Sequence, residues 1–304
     1  MLDYPWDRFS NLSAAGYQEI SDRLGNLSHK HMQFQFWQIV VLAVVQGITE
    51  FLPVSSSGHL VIVGALLAPG GNAKELDIAD VSIVLHLGTL FSIIVFYWKR
   101  LLRLLFEDRR TIGLVFVASL PAAFIGIPIK LLFKDDSLVN EIMSSPLAAG
   151  LLLPITGVIL LWAARCKPGT EEYQTMSFGK AFVIGLSQAV AILPGISRSG
   201  STISTGVRLG LNPQASATFS FMMAIVAIGG AGLVESIKLL KHPIASPASH
   251  LFAGAVISFV VGLGALWVLV RLLEKGRFQI FAYWCILAGI GIVIWRFREG
   301  DFGM

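Results

Sequence analysis

Residues 46–65 read QGITEFLPVSSSGHLVIVGA, and residues 187–206 read SQAVAILPGISRSGSTISTG. Each phrase sets a glutamine, a Leu-Pro pair, serines and glycines inside apolar sequence. A shift of 142 positions lays Gln46 over Gln188, Ser55 over Ser197, Ser57 over Ser199 and Gly58 over Gly200, with the Leu-Pro pairs one residue out of step. Polar, proline-interrupted backbone survives at membrane depth only where protein or a polar cavity surrounds it. The two phrases therefore decide between a bundle of plain spans and one with two broken segments.

The composition places the chain in a membrane. Of 304 residues, 55% are hydrophobic and 14% charged, against about a quarter charged in soluble domains. The formal net charge of +4 does not point to nucleic acid, because the basic residues gather in short loops between apolar segments. Cys166 and Cys285 lack the spacing of a metal site or a structural disulfide. Residues 1–34 carry Asp3, Asp7, Glu19 and Asp22 and lack the unbroken apolar core of a signal peptide; they are expected to form an amphipathic or surface extension.

A span needs about 20 apolar residues. Six segments qualify, at roughly 78–98, 111–133, 146–164, 218–236, 251–271 and 279–296, with Pro121 and Pro128 expected to bend the second. Two further apolar regions, Phe36–Leu67 and Phe178–Arg208, are interrupted at Pro53–His59 and Pro194–Ser201. They read as re-entrant helix-loop-helix hairpins, the alternative being pairs of thin spans. Three full spans follow each hairpin. Three is odd, so the second copy enters from the opposite side, as in inverted-repeat bundles whose broken tips meet near the midplane. The expectation is an all-α polytopic protein with a first repeat over 35–170 and a second over 171–304.

Five basic residues lie between Lys99 and Arg110, and Arg165, Lys167, Lys275 and Arg277 fall on the same side. That side is assigned to the cytoplasm. The loop from Asp135 to Glu141 then faces outward, as do both termini.

The chemistry concentrates in the breaks. Gln46 and Glu50, four apart, share a helix face, and a carboxylate at this depth marks a polar path or a bound partner. Ser55, Ser56, Ser57 and Gly58 precede a helix expected to begin near His59, whose positive end suits an anion. His59 is the general-base candidate. His86, in VLHLGTL, reads as a packing or supporting residue. The second break supplies Arg198, flanked by Ser197, Ser199 and Thr202. Its guanidinium fork matches phosphate oxygens, and Gly195 and Gly200 are expected to permit tight turns. An Arg198–Glu50 salt bridge holding the hairpins together is the competing role.

QGITEFLPVSSSGH and LPGISRSGST together resemble the undecaprenyl-pyrophosphate phosphatase, or bacitracin-resistance, family, from Phe36 to the C-terminus. The resemblance implies a bacterial inner-membrane enzyme that removes the terminal phosphate of an isoprenoid diphosphate lipid, with a pocket towards the outer face. It also implies a divalent cation, Mg2+ or Ca2+, with Glu50 and Gln46 as ligands. Gln46 stands where the family also uses a glutamate, which removes one possible metal carboxylate. Ser56, with His59 taking its proton, is the favoured nucleophile; water activated by His59 or Glu50 is the alternative. Gln46, Ser55, Ser57, Ser197, Arg198, Ser199 and Thr202 would hold the substrate. A transporter or flippase built on the same bundle is the rival class, and a homodimer is compatible with either.

Overall fold

The computed structural model describes residues 34–68, 78–133, 137–167, 169–241 and 246–299. The N-terminal extension expected over 1–34 lies almost wholly outside them. The described chain is all-α apart from one isolated bridge between Glu171 and Leu211. Its helices are α1 (Phe36–Phe51), α2 (Ser56–Leu67), α3 (Ile78–Phe96), α4 (Trp98–Phe106), α5 (Arg109–Leu132), α6 (Ser137–Ser144), α7 (Pro146–Ala164), α8 (Phe178–Val190), α9 (Arg198–Arg208), α10 (Pro213–Lys241), α11 (Ala248–Glu274) and α12 (Gln279–Glu299).

Among the described residues, five helices are long and apolar enough to cross a membrane: α5, α7, α10, α11 and α12. The pair Val81–Phe96 and Trp98–Leu104 makes a sixth if its 76° bend is counted within one span. The bend corrects the expected span 78–98, which turns at Tyr97. A short helix, α6, occupies most of the stretch expected as an outward loop. Helix α5 continues through both Pro121 and Pro128. Helices α1, α2 and α8, of 16, 12 and 13 residues, are apolar but short.

The breaks follow from local chemistry. Proline disfavours a helical residue before it, and Leu52, extended at φ −63°, ψ 142°, ends α1 just before Pro53. Ser55 then caps α2, accepting from the Gly58 N–H. The helix thus starts at Ser56, three residues earlier than expected. Ser197 caps α9 in the same way, accepting from the Gly200 N–H.

Helices α7 and α12 form the most extensive contact, followed by α1 with α11, α3 with α11, and α5 with α8. Small residues permit these approaches, as in membrane bundles generally. A Cβ on Gly88 of α3 would collide with the Ala255 carbonyl of α11, one on Gly185 of α8 with the Ala118 carbonyl of α5, and one on Gly289 of α12 with Pro154 and the Gly150 carbonyl of α7. Hydroxyls add bonds across helices: Ser258 Oγ donates to the Leu85 carbonyl (2.8 Å) and Ser92 Oγ to the Phe259 carbonyl (2.8 Å).

Gly88→Ala should destabilise the protein by about 1–3 kcal/mol, because a backbone carbonyl cannot yield to the added methyl. Gly229→Ala, whose Cβ would meet only the tip of Leu90 at 4.0 Å, should be neutral or stabilising by up to about 1 kcal/mol. Thermal unfolding in detergent compares the two; equal shifts would refute the close-approach account.

Candidate active site

The two broken regions meet at their tips. Ser55 Oγ accepts from the N–H of Gly195 (3.1 Å) as well as from Gly58 (3.4 Å), so one hydroxyl ties both breaks. Ser199 Oγ donates to the Leu52 carbonyl (3.3 Å). Thr156 of α7 donates to the Gly195 carbonyl (2.8 Å) and accepts from the Ser197 N–H (2.9 Å). Cys285 of α12 offers its thiol to the Pro53 carbonyl (3.7 Å). The backbone is bent to fit: Gly195 takes φ +97° and Ser55, unusually for a residue with a side chain, φ +70°. Such strain persists where surrounding contacts over-determine it. Gly200 serves differently from the expected turn. It lies inside the first turn of α9, where a Cβ would press on Ser197 and Pro53.

Glu50 is the centre of the site. Its side chain is 5% exposed, and Arg198 Nη2 binds Oε1 at 2.6 Å. Oε2 accepts from Ser56 Oγ (2.7 Å) and Gln46 Nε2 (3.0 Å), with His86 Nε2 at 3.5 Å. A carboxylate removed from water needs this many donors. Two atoms beside it stay unpaired among the described residues: Gln46 Oε1 and Arg198 Nη1, both buried. Buried polar atoms are normally satisfied; here a spare acceptor and a spare cationic donor lie on either side of one carboxylate.

Of the predicted residues, Glu50, Gln46, Ser56 and Arg198 come together. His59 is not hydrogen-bonded to Ser56. Its Nδ1 lies 2.8 Å from the Ser55 carbonyl, and its Nε2 accepts from Trp284 Nε1 (3.0 Å), the two rings stacked at 6.2 Å. The i→i+4 spacing turns the ring back onto the cap of α2. Ser57 is exposed, with its Oγ 3.4 Å from Ser55 Oγ. Ser197 and Ser199, 3.2 Å apart, brace the junction, and Thr202 bonds Ser220 (2.6 Å) and the Arg198 carbonyl (2.8 Å). These three are almost fully buried and position Arg198 from behind. Two residues gain a place that their sequence context did not give them. His86 reaches Glu50 because α3 runs beside α1, which apolar neighbours in sequence do not reveal. Trp284 comes from α12, more than 200 residues from His59; an indole in an apolar span carries no signal of its own.

With this geometry in place, the comparisons with known proteins are decisive. Residues 39–291 match the family described as Bacitracin resistance protein BacA. The chain belongs to that family. The undecaprenyl-diphosphatase of Rhodopirellula baltica is 46% identical over 263 residues, covering 86% of this chain and 98% of the relative. That of Desulfosudis oleivorans is 39% identical over 281 residues, covering 85% and 97%. That of Methanosphaera stadtmanae is 36% identical over 278 residues, covering 84% and 96%. Both breaks of this BacA-family chain, Pro53–His59 and Pro194–Ser201, lie inside the match.

Removing one member of a buried ion pair leaves the other uncompensated, which typically destabilises by about 3–5 kcal/mol. Arg198→Met should do so here, and adding Glu50→Gln to it should recover most of the loss. A double-mutant cycle of unfolding in detergent measures the coupling; additive effects would mean that the pair does not hold the hairpins together.

Proposed function

We propose that this BacA-family protein is an integral membrane phosphatase that hydrolyses undecaprenyl diphosphate to undecaprenyl phosphate and inorganic phosphate, returning the lipid carrier to cell-wall synthesis. The family and the relatives named above support the activity. The observation that carries the site is the chain from Ser56 Oγ through Glu50 to Arg198, with Arg198 Nη1 and Gln46 Oε1 unpaired beside it.

Ser56 opens α2, half-buried beside the exposed Ser57. Its hydroxyl already donates to Glu50, so the carboxylate is placed to take its proton as Oγ attacks the terminal phosphorus. The bond from that phosphorus to the bridging oxygen breaks, and undecaprenyl phosphate leaves. Water then attacks the phosphoserine phosphorus, one of its protons going to Ser56 Oγ as inorganic phosphate leaves, and the proton held by Glu50 departs with the phosphate, restoring the carboxylate. Arg198 is aimed to neutralise charge on the transferring group through Nη1 while Nη2 holds Glu50. His86 backs the carboxylate as the proton arrives. His59, anchored to Ser55 and Trp284, orients the serine loop in this reading. This replaces the His59-as-base expectation, because Ser56 already has an acceptor.

Hard divalent cations take oxygen ligands, and Mg2+ in particular completes its shell with water and substrate phosphates. No group of three or more His, Cys, Asp or Glu side chains gathers among the described residues. The free Gln46 Oε1 beside Glu50 fits a Mg2+ or Ca2+ ion held by those two residues and completed by the diphosphate. When bound, it would supply further neutralisation of the diphosphate oxygens.

The reading extends to architecture: Phe36–Leu67 and Phe178–Arg208 are re-entrant hairpins of two inverted repeats in the bacterial inner membrane, with the site opening outward. The reciprocal contacts support it, since α11 of the second half packs on α1 and α5 of the first half packs on α8. The same architecture suits a lipid translocator, the rival reading, but a translocator has no use for a serine bonded to a buried carboxylate.

Ser56→Ala should lower phosphate release from undecaprenyl diphosphate by about 1,000-fold or more while leaving substrate binding intact. Purified protein in detergent with a phosphate-release assay decides it, and near-parental turnover would discard the nucleophile. Gln46→Ala should raise the Mg2+ concentration for half-maximal activity about tenfold or more, measured by titrating chelator-treated protein. An unchanged requirement would remove Gln46 from the cation site.

A further inference from the structure

The basic end of the bundle carries two adjoining cavities. Helix α4, WKRLLRLLF, is bent 76° from the apolar helix before it. If α3 crosses the membrane, α4 runs along its surface. Helical spacing puts Lys99, Arg100 and Arg103 on one face and Trp98, Leu101 and Leu102 on the other, the pattern of an interfacial helix. Trp98 is 53% exposed and Phe106 78%.

Between α4, the start of α10 and the end of α11 lies a cavity of about 550 Å³. Lys99, Arg100 and Arg103 line it against a single carboxylate, Glu274, with Trp98 and Thr218 beside them. Phe96 and Val270 supply an apolar wall. Arg100 is fixed by Thr218 (3.2 Å). Lys99 lies over the Trp98 ring at 5.7 Å, and among the described residues neither Lys99 nor Arg103 has an ion-pair partner. Glu274 is drawn aside by Gln214 (3.1 Å) and Arg271 (3.8 Å). An adjoining cavity of about 290 Å³ shares Arg100 and Arg103 but adds Glu107, Asp108 and Glu172, so an anion is better served by the larger one. Tyr173, which lines the smaller cavity, adds no negative charge: burial raises its pKa and leaves it a neutral phenol.

We propose that the larger cavity binds the phosphate of an anionic glycerophospholipid from the leaflet at this face. Charge complementarity selects the phosphate, while the apolar wall and interfacial Trp98 select a lipid over a free ion. The site shares no residue with the hydrolytic centre and stands independently of the phosphatase reading.

Native mass spectrometry of the delipidated full-length protein, titrated with phosphatidylglycerol or phosphatidylcholine, tests it. The parent should prefer phosphatidylglycerol. Each basic residue near an anionic lipid surface is worth roughly fivefold in affinity, so K99Q/R103Q should weaken phosphatidylglycerol binding about 30-fold, with a smaller effect on phosphatidylcholine, whose choline offsets the charge of its phosphate. K99R/R103K should retain the preference, and Glu274→Gln should strengthen it. Equal phosphatidylglycerol affinity in the parent and K99Q/R103Q would overturn the proposal. So would displacement of the lipid by equimolar inorganic phosphate, which would assign the cavity to a soluble anion.

Discussion

The structure turns on one buried charge. Glu50 sits where water does not solvate it, and no single partner could hold it there. Arg198 must come from the other broken region to meet it, and that requirement brings two segments distant in sequence to one point. Ser56 and Gln46 complete the carboxylate from its own side. The bond that pins the tips together also fixes the Arg198 guanidinium with its Nη1 unpaired among the described residues.

Around this pair the two breaks use the same device. Ser55 and Ser197 each cap a helix with the hydroxyl, each lies close to a second serine two residues on, and each precedes a glycine that lets the opposite tip approach. Pro53 and Gly195, at matching places in the repeat, each lend a carbonyl to a helix of the surrounding bundle, through Cys285 and Thr156. The junction is thus held by backbone groups and small hydroxyls. These do not depend on a bulky side chain at the tip, so the reacting positions are left for other residues.

Much of this was legible in the sequence because membranes penalise polar groups so heavily. Glu50 and Arg198 stood out as charges inside apolar stretches, and Pro53 and Pro194 marked the breaks. Hidden were contacts made by residues ordinary in their own context. His86 reads as packing among Leu, Gly and Thr until α3 is laid beside α1, and Trp284 looks lipid-facing until α12 brings it to His59. The serines misled in a different way. A run of hydroxyls reads as an anion clamp, yet a hydroxyl beside a helix start is equally a cap, the duty that Ser55 and Ser197 take, and among the three consecutive serines it is Ser56 that meets Glu50. The bend at Tyr97 was likewise masked, since Phe96 to Trp98 continues an apolar run whether the helix goes straight or turns along the surface.

The repeat also shows how a symmetric scaffold carries an asymmetric reaction. At the offset that superposes the capping serines, Ser56 falls on Arg198, Glu50 on Ile192 and His59 on Ser201, while Gln46 falls on Gln188. The first helical position after each cap therefore holds the nucleophile candidate in one half and the cation in the other. Both halves cap the helix with a serine, Ser55 at φ +70° and Ser197 at φ −74°, and in the proposed reaction the side chain on the first helical residue decides whether that half attacks phosphate or neutralises it. Gln188 keeps the buried amide, with Oε1 unpaired as in Gln46, but has no carboxylate in register to work with. The proposed reaction accordingly has a single centre: with isoleucine at the position that matches Glu50, the second half has no carboxylate to serve as the proposed proton acceptor.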